Sequence, residues 1–464
     1  MAKNLVSLRL VDCPSLTEVP SSLQYLDKLE EIDLSGCYNL RSFPMLDSKV
    51  LRYLHISRCL DMTTCPTISQ NMELLILPET SIKEVPQSVT GRLELLWLSG
   101  CSKMTKFPEN LKDIEDLSLT RSAIKEVPSS IQYLTRLYNL NMSGSSKLES
   151  FPEITVPMES LRYLFLSETG IKEIPLISFK HMISLRSLFL DGTPIKELPL
   201  SIKDMVHLED LTLHGTPIKA LPELPPSLKT LTTHDCSSLE TVTSIINIGR
   251  LQLRWDFTNC FKLDQKQLIE AMHLKIQSGD QISPRGIQMV LRGSEIPEWF
   301  GDKGIGSSVT IQLPSNCHQL KGIAFCLVFL LPLPSQDTLY YEFGDRYDAK
   351  VYCDYHVKSK NGEHDGDDEV VLASGNTYVM TFNMKKWDSN HMVLHYISNF
   401  ILVNRLHLRE YSGNEVTFKF YHSIHNHHGR KVGHEIRRPF ELKSWGVYLH
   451  FDENLPADKS SEEN

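Results

Sequence analysis

The sequence predicts a solenoid of short parallel strands that runs into an all-β sandwich. Three observations carry this expectation. A leucine-spaced motif recurs eleven times at intervals of 20 to 24 residues between Leu5 and Leu228. From residue 286 the composition shifts to runs rich in β-branched and aromatic residues, most of them ending at Gly, Pro, Asn or Asp. No apolar run approaches the roughly 20 residues that span a bilayer, and 464 residues with 41% hydrophobic and 23% charged content suit two or three domains.

The repeat is justified by self-alignment. SLFLDGTPIKELP (187–199) recurs as DLTLHGTPIKALP (210–222) and as YLFLSETGIKEIP (163–175). The frame L-x-x-L-x-L-x-x-(C/T/S) starts at Leu5, Leu29, Leu51, Met72, Leu93, Ile114, Leu137, Leu161, Leu185, Leu208 and Leu228. That spacing is the leucine-rich-repeat period, in which each unit is one strand, a turn and a returning segment. One unit cannot bury its leucines alone, so the stack is one continuous solenoid. A long form continues C-xx-L-xx-F-P and a short form T-x-I-xx-(V/I/L)-P. Both keep a small hydrogen-bonding residue at a ladder position: Cys13, Cys37, Cys59, Cys101 and Cys236, or Thr80, Thr169, Thr193 and Thr216. Such a side chain is expected to satisfy backbone groups of the turn leaving the strand. The serine pairs after Pro20 and Pro128 are expected to cap short helical turns on the convex side.

Between the last two leucines of each frame lies a residue expected to face outward on a concave parallel sheet. In order these are Arg9, Asp33, His55, Ile76, Trp97, Ser118, Asn141, Phe165, Phe189, Thr212 and Thr232. A solvated sheet would be polar throughout. Here Ile76 and Trp97 are neighbours, as are Phe165 and Phe189, with Tyr163 beside Phe165 and His55 beside Ile76. These six are the candidate protein-binding residues, because aromatic clusters concentrate interface energy. Two other readings stay open: cover by another part of the chain, and cross-strand packing alone.

The solenoid is expected over 1–245, with a connector over 246–285. Leu268, Ile269, Met272 and Ile276 have helical spacing there, and Asp264 is a plausible N-cap. At least seven strand-like runs over 286–451 predict an antiparallel sandwich. The tail 452–464 is polar and expected to be disordered.

Chemistry is sparse. A formal charge of −9 and a single broken basic run, Arg430 to Arg438, argue against nucleic-acid and anionic-membrane partners. The start has no secretory pattern and the ten cysteines do not cluster as a disulfide framework, so a reducing cytoplasmic or nuclear location is expected. DGDDE (365–369) lacks calcium-loop spacing, and H-xx-H-x-HH (422–428) lacks a helix or nearby cysteine for zinc. No metal and no cofactor is expected. Asp33, His55 and Ser57 do not make a catalytic triad without a buried pocket, so the chain is not expected to be an enzyme.

FTNCFKLD (257–264), GSEIPEWF (293–300), IGSSVTIQLP (305–314) and WGVYLHF (445–451) resemble the region after the repeats in plant TIR-type nucleotide-binding leucine-rich-repeat immune receptors. The mixed repeats look like the same family's solenoid, so the resemblance covers essentially the whole chain. Arg292 and Trp445 depart from it, standing where Pro and Cys are usual. It implies an α/β leucine-rich-repeat solenoid followed by a jelly-roll/Ig-like sandwich that together grip a pathogen effector or a host guardee protein. Within GSEIPEWF, Ile296, Trp299 and Phe300 are expected in the sandwich core, Gly293 and Pro297 in a turn, and Ser294 and Glu295 as structural companions. Effector contacts would come from loops 360–369 and 422–430. In such receptors binding releases nucleotide-binding and TIR domains, the latter cleaving NAD. No G-x-x-x-x-G-K-[ST] loop occurs here, so the expectation is the recognition half alone: a fragment, a truncated product, or an adaptor for an endogenous protein.

Overall fold

A computed structural model describes residues 4–243, 253–278, 282, 286–329, 347–358, 371–383, 390–398, 408–426, 438–439 and 442–451, apart from 47, 67–70, 87–91, 110, 176 and 307. The chain divides into two compact units, Met1–Leu231 with Cys236–Ile248, and Thr232–Asp235 with Gly249–Asn464. Loops 360–369 and 427–430 and the tail 452–464 lie outside the described residues.

The first unit is a ladder of three-residue strands: β1 (Ser7–Arg9), β2 (Glu31–Asp33), β3 (Tyr53–His55), β4 (Leu74–Ile76), β5 (Leu95–Trp97), β6 (Asp116–Ser118), β7 (Asn139–Asn141), β8 (Tyr163–Phe165), β9 (Ser187–Phe189), β10 (Asp210–Thr212) and β12 (Thr230–Thr232). From β1 to β10 every adjacent pair is parallel and in register, so equivalent repeat positions stand side by side. A minor parallel pair, β11 (Ala220–Leu221) with β13 (Thr241–Val242), joins two returning segments. The frame leucines are buried without exception from Leu29 onward, most of them completely, and each is worth about 1.5–3 kcal/mol against an exposed side chain.

Ladder side chains divide by chemistry. Each described threonine donates within its own repeat: Thr80 to the Leu77 carbonyl at 3.1 Å, Thr169 to Leu166 and Thr193 to Leu190 at 2.7 Å, Thr216 to Leu213 at 2.8 Å. Cysteine and Ser145 reach back one repeat, whereas the Ser122 hydroxyl meets that of Ser145 in the following repeat at 3.1 Å. Cys37 donates to Leu10 O and Cys59 to Cys37 O at 3.0 Å, Cys101 to Leu77 O at 3.3 Å, Ser145 to Leu119 O and Cys236 to Leu213 O at 3.0 Å. Cys13 reaches the Val11 carbonyl of its own turn at 3.6 Å. Burial pushes the Cys59 thiol up to about 11 and raises Cys37 and Cys101, so these groups stay protonated and act as donors.

The residue before the ladder position is left-handed in every turn. Glycine fills it at 36, 100, 144, 192 and 215, while Asp12, Arg58, Glu79, Arg121, Glu168, Asp235 and Asn259 hold it with φ between 52° and 61°. Short 3-10 turns span Ser21–Tyr25, Ser129–Tyr133 and Leu200–Asp204, and α1 (Ser178–His181) is a single helical turn. The serine pairs do not cap. Pro20 and Pro128 occupy the N-cap positions and the serines lie inside the first turn, with no side-chain cap bond.

In the second unit, residues 253–260 differ from the connector expected over 246–285. β14 (Leu253–Asp256) continues the repeat pattern: Thr233 N donates to Asp256 O at 2.9 Å and Asp235 N to Thr258 O at 2.8 Å, as Leu10 and Asp12 do to Asp33 and Ser35. Trp255 and Phe257 take the buried leucine positions, and Cys260 donates back to Thr233 O at 3.1 Å. This is a twelfth turn with aromatic residues in place of leucines. The helix α2 (Gln265–Gln277) follows, N-capped by Asp264, which accepts from Lys266 N at 3.1 Å.

The sandwich has two sheets. One places β14 parallel to β15 (Ile287–Arg292), then runs antiparallel through β21 (His391–Ser398), β18 (Leu320–Phe329), β24 (Leu442–Phe451) and β16 (Asp302–Ile305). The other runs β17 (Ser308–Gln312), β22 (Glu415–Asn426), β19 (Tyr347–Lys358) and β20 (Val371–Asn383), with β23 (Arg438–Pro439) also on β22. Their facing apolar side chains, including Phe325, Phe329, Val351, Phe418, Phe420 and Trp445, form one core.

Candidate protein-recognition face

Alternation along each strand sends the first and third residues outward and the middle one into the core. The outward positions of the first unit therefore form two columns, and in-register pairing makes each a continuous row. Among the predicted residues, Ile76 lies opposite Trp97, and Leu74 opposite Leu95 in the parallel column. All four are at least partly exposed, Trp97 most at 38%. Trp97 Nε1 donates to Asp116 Oδ1 at 3.0 Å, which fixes the indole across the neighbouring strand. Phe165 and Phe189 stack face to face, centroids 4.5 Å apart and planes 6° apart. Tyr163, 36% exposed, meets Tyr138 edge-on at 6.1 Å.

His55 does not join the Ile76–Trp97 group through a polar contact. Its Nδ1 lies 3.1 Å from Ser35 Oγ and 3.6 Å from Asp33, and Ser35 donates to Asp33. The Asp–Ser–His contact thus uses Ser35 and not Ser57, and both groups crowd one ring nitrogen, unlike a relay through the two nitrogens. Asp33 and Asn141 also accept from the backbone of residues 35 and 143 at 3.0 Å, so part of the outward column is spent on shaping the turn.

Leu74, Leu95, Tyr53, Tyr138, Arg162 and Arg186 are missing from the sequence-derived set. The first outward column was readable from the same alternation that exposed the third. The two apolar groups differ in electrostatic setting. Around the first, Glu73 accepts from Tyr53 at 3.2 Å and pairs with Arg52 at 3.4 Å, its charge raising the Tyr53 pKa. Arg136 draws in Glu94, Asp113 and Glu115. β6 and β7 separate the groups with partly exposed Asp116, Asn139 and Asn141, while Ser118 is buried.

In the second unit the GSEIPEWF segment is a packing device. Phe300 is buried, while Ile296, Pro297 and Trp299 are half-buried, so only Phe300 is fully in the interior. Trp299 stacks on His273 of α2 at 4.4 Å and on Phe300 at 4.0 Å, and meets Tyr448 edge-on at 5.3 Å. Gly293 has φ 133°, a conformation that side chains rarely adopt, and Ser294 and Glu295 are exposed. Arg292 places its guanidinium 4.7 Å over the Phe261 ring. Trp445 packs into the sandwich core because Gly304 leaves room, a Cβ there lying 2.3 Å from its ring. Among the described residues, no helix is long and apolar enough to cross a membrane.

Residues 291–455 match the C-JID domain family model. The chain is 31% identical over 339 residues to Disease resistance protein RPS4B of Arabidopsis thaliana, covering 69% of this chain and 27% of that protein. It is 27% identical to Protein SUPPRESSOR OF npr1-1, CONSTITUTIVE 1 (80% and 24%) and 28% identical to Disease resistance protein RPS6 (78% and 33%), both from the same plant. The chain thus spans about a quarter to a third of the length of these relatives. The solved leucine-rich repeat domain of the type III effector XCV3220 (XopL) aligns at TM-score 0.34 and 21% identity, covering 57% of this chain and 72% of that one, too slight a likeness to add to the repeat geometry. With leucine-rich repeats in the first unit and a C-JID match in the second, this protein corresponds to the leucine-rich-repeat and C-JID region of plant disease-resistance receptors.

Proposed function

We propose that the chain is a protein-recognition module of a plant immune receptor, and that it binds a pathogen effector or a host guardee through the outward face of the first unit's sheet. The observation that carries this is the pair of apolar groups, Leu74, Ile76, Leu95 and Trp97, and Tyr138, Tyr163, Phe165 and Phe189, on a face that water alone would keep polar. Large aromatic side chains held by neighbours lose little entropy on binding and concentrate interface energy. In this reading segments 360–369 and 422–430 of the second unit, the latter beginning inside β22, supply effector contacts of their own, and nucleotide-binding and TIR domains of a full receptor are the downstream partners. The site of action is the cytoplasm or the nucleus, and the chain itself carries out recognition, not catalysis.

The test is Trp97→Ser with Phe189→Ser. Both should leave the urea midpoint nearly unchanged and weaken capture of the partner co-purified from infected tissue by tenfold or more. Unfolding of the variants, or unchanged capture, would defeat the reading. A partner recovered equally from uninfected tissue would instead favour an adaptor for an endogenous plant protein.

A further inference from the structure

The second apolar group differs from the first in its flanking charge, and that difference points to a partner. Arg162 and Arg186 stand three residues ahead of Phe165 and Phe189 in successive repeats. Their backbones are joined directly, Arg186 N donating to Arg162 O at 2.9 Å, and Arg162 N to Tyr138 O at 2.9 Å. Tyr138, Arg162 and Arg186 are consecutive entries of one row, and Tyr138 shows that this row reaches the sheet face, since its ring meets Tyr163. Both arginines are exposed. Neither has an ion pair among the described residues, although carboxylates lie on the adjoining turns. Glu209, next in the row, is paired with Lys229 at 2.7 Å. Asp210 accepts from Ser187 at 2.9 Å, and Asp191 from Ser167, Thr212 and His214 N. In contrast, Arg52, Arg58 and Arg136 around the first group all face carboxylates within 4.0 Å.

Two arginines on directly hydrogen-bonded segments carry like charge with no ion-pair partner among the described residues, so an anion from outside is complementary to both. Three residues of strand separate them from the stacked rings, about 10 Å at 3.3 Å per residue. An extended protein segment has the same rise. We propose that this patch binds an extended acidic segment of the partner protein, which lays a large apolar side chain on the Phe165–Phe189 stack and presents an Asp or Glu about three residues away to Arg162 and Arg186. This rests on the sheet face being a protein-binding surface, as proposed above, and specifies the chemistry of its ligand.

The experiment uses a phage-displayed library of random dodecapeptides selected on the full chain, with enriched peptides resynthesised and their Kd measured by fluorescence anisotropy. Enriched sequences should carry Asp or Glu about three residues from a large apolar residue. R162E/R186E should weaken them about 100-fold, roughly tenfold for each charge-assisted contact, and a peptide whose acid is replaced by Lys should recover affinity for that variant. R162Q/R186Q, which removes the charge at exposed positions without adding repulsion, should show a smaller loss and no recovery with the Lys peptide. Gly301→Ala, in the second unit with open space around the added Cβ, should leave these Kd values unchanged. Neutral or basic winners, or charge reversal that shifts Kd less than twofold, would overturn the acidic-segment proposal. If F165S/F189S still abolished binding of such winners, the sheet face would stand as a protein site with a different ligand. No enrichment on the wild-type chain, or peptides indifferent to both arginine and phenylalanine changes, would sink both.

Discussion

Substituting the left-handed residue before the ladder should separate backbone strain from side-chain contact. At Gly215, φ is 65° and an added Cβ would meet nothing within 4 Å. Gly215→Ala therefore probes the backbone alone. A left-handed L-residue costs about 1–2 kcal/mol, and the narrower unfolded ensemble of Ala returns about 0.4–1 kcal/mol. A net loss of about 0.5–1 kcal/mol is expected. The opposite change belongs at Arg58, Arg121 and Glu168, with φ of 59°, 54° and 58°. Each glycine there should stabilise by about the same amount. These sites are at least two repeats apart, near 10 Å or more at the strand spacing, so the three gains should add to about 2 kcal/mol. Urea unfolding reads both directions as shifts in midpoint at constant slope. For a unit of this size the thermal equivalent is about 2–4 °C per kcal/mol. If Gly215→Ala were neutral while the triple glycine variant lost stability, the left-handed turn would not be what constrains this position.

Three further outcomes follow from packing and charge. Gly446→Ala places a Cβ 2.6 Å from Ile296 Cγ2 and 3.0 Å from Phe300 Cβ, which should cost about 1–3 kcal/mol by overpacking, whereas Gly301→Ala, with open space, should be silent in the same thermal melt. His395 is buried with no hydrogen-bond partner for Nδ1, and burial pushes its pKa down to about 4. Below pH 6.5 the unfolded chain takes up a proton that the folded chain refuses until about pH 4, so stability should be level above 6.5 and fall through that window by on the order of 3 kcal/mol. His395→Leu should flatten the decline in a pH series of urea midpoints, and an unchanged slope would show that other groups dominate. Cys59→Ala, which removes the bond to the preceding repeat at 3.0 Å, should cost about 1 kcal/mol or more in urea denaturation because the carbonyl it served stays buried, and a neutral result would mean that the ladder thiols act as packing alone.

What was legible in the chain follows from how strictly a feature depends on period. Eleven repeat strands could be read because leucines fall at fixed spacing. The twelfth escaped because Trp255 and Phe257 replace the leucines, although Cys260 keeps the same distance from Phe257 as Cys37 from Leu34. β21 is hard to read for a different reason. HMVLHYIS carries two histidines that look like solvent positions, yet it lies between β15 and β18 and is buried along its whole length. A central strand shows no alternation, so composition misleads there. The left-handed row is readable only where glycine fills it, and Arg58, Glu79, Arg121 and Glu168 give no local sign of it. On the sheet face, Ile76, Trp97, Phe165 and Phe189 stood out as oddities in a polar column. Leu74 and Leu95 did not, since a leucine beside a repeat leucine looks like core.

The separation of these roles bears on recognition. Every residue that fixes the solenoid, whether frame leucine, ladder donor or left-handed residue, points away from the two outward columns or lies beyond the strand end. Substitution at Leu74, Ile76, Leu95, Trp97, Phe165 or Phe189 therefore removes no buried frame leucine and no ladder bond. The columns are nonetheless held rigidly, because each strand is clamped on both sides by in-register neighbours. Asp33 and Asn141 mark the limit of that freedom, since their carboxylate and amide oxygens are already bound to the turns they precede. A rigid surface with side chains that are mostly free of structural duty suits tight binding, because little side-chain entropy remains to be lost when a partner docks. If the outward columns and the adjoining Arg162–Arg186 row bind the partner as proposed, altering specificity should require changes there, while changes at the ladder should alter stability and leave partner choice intact.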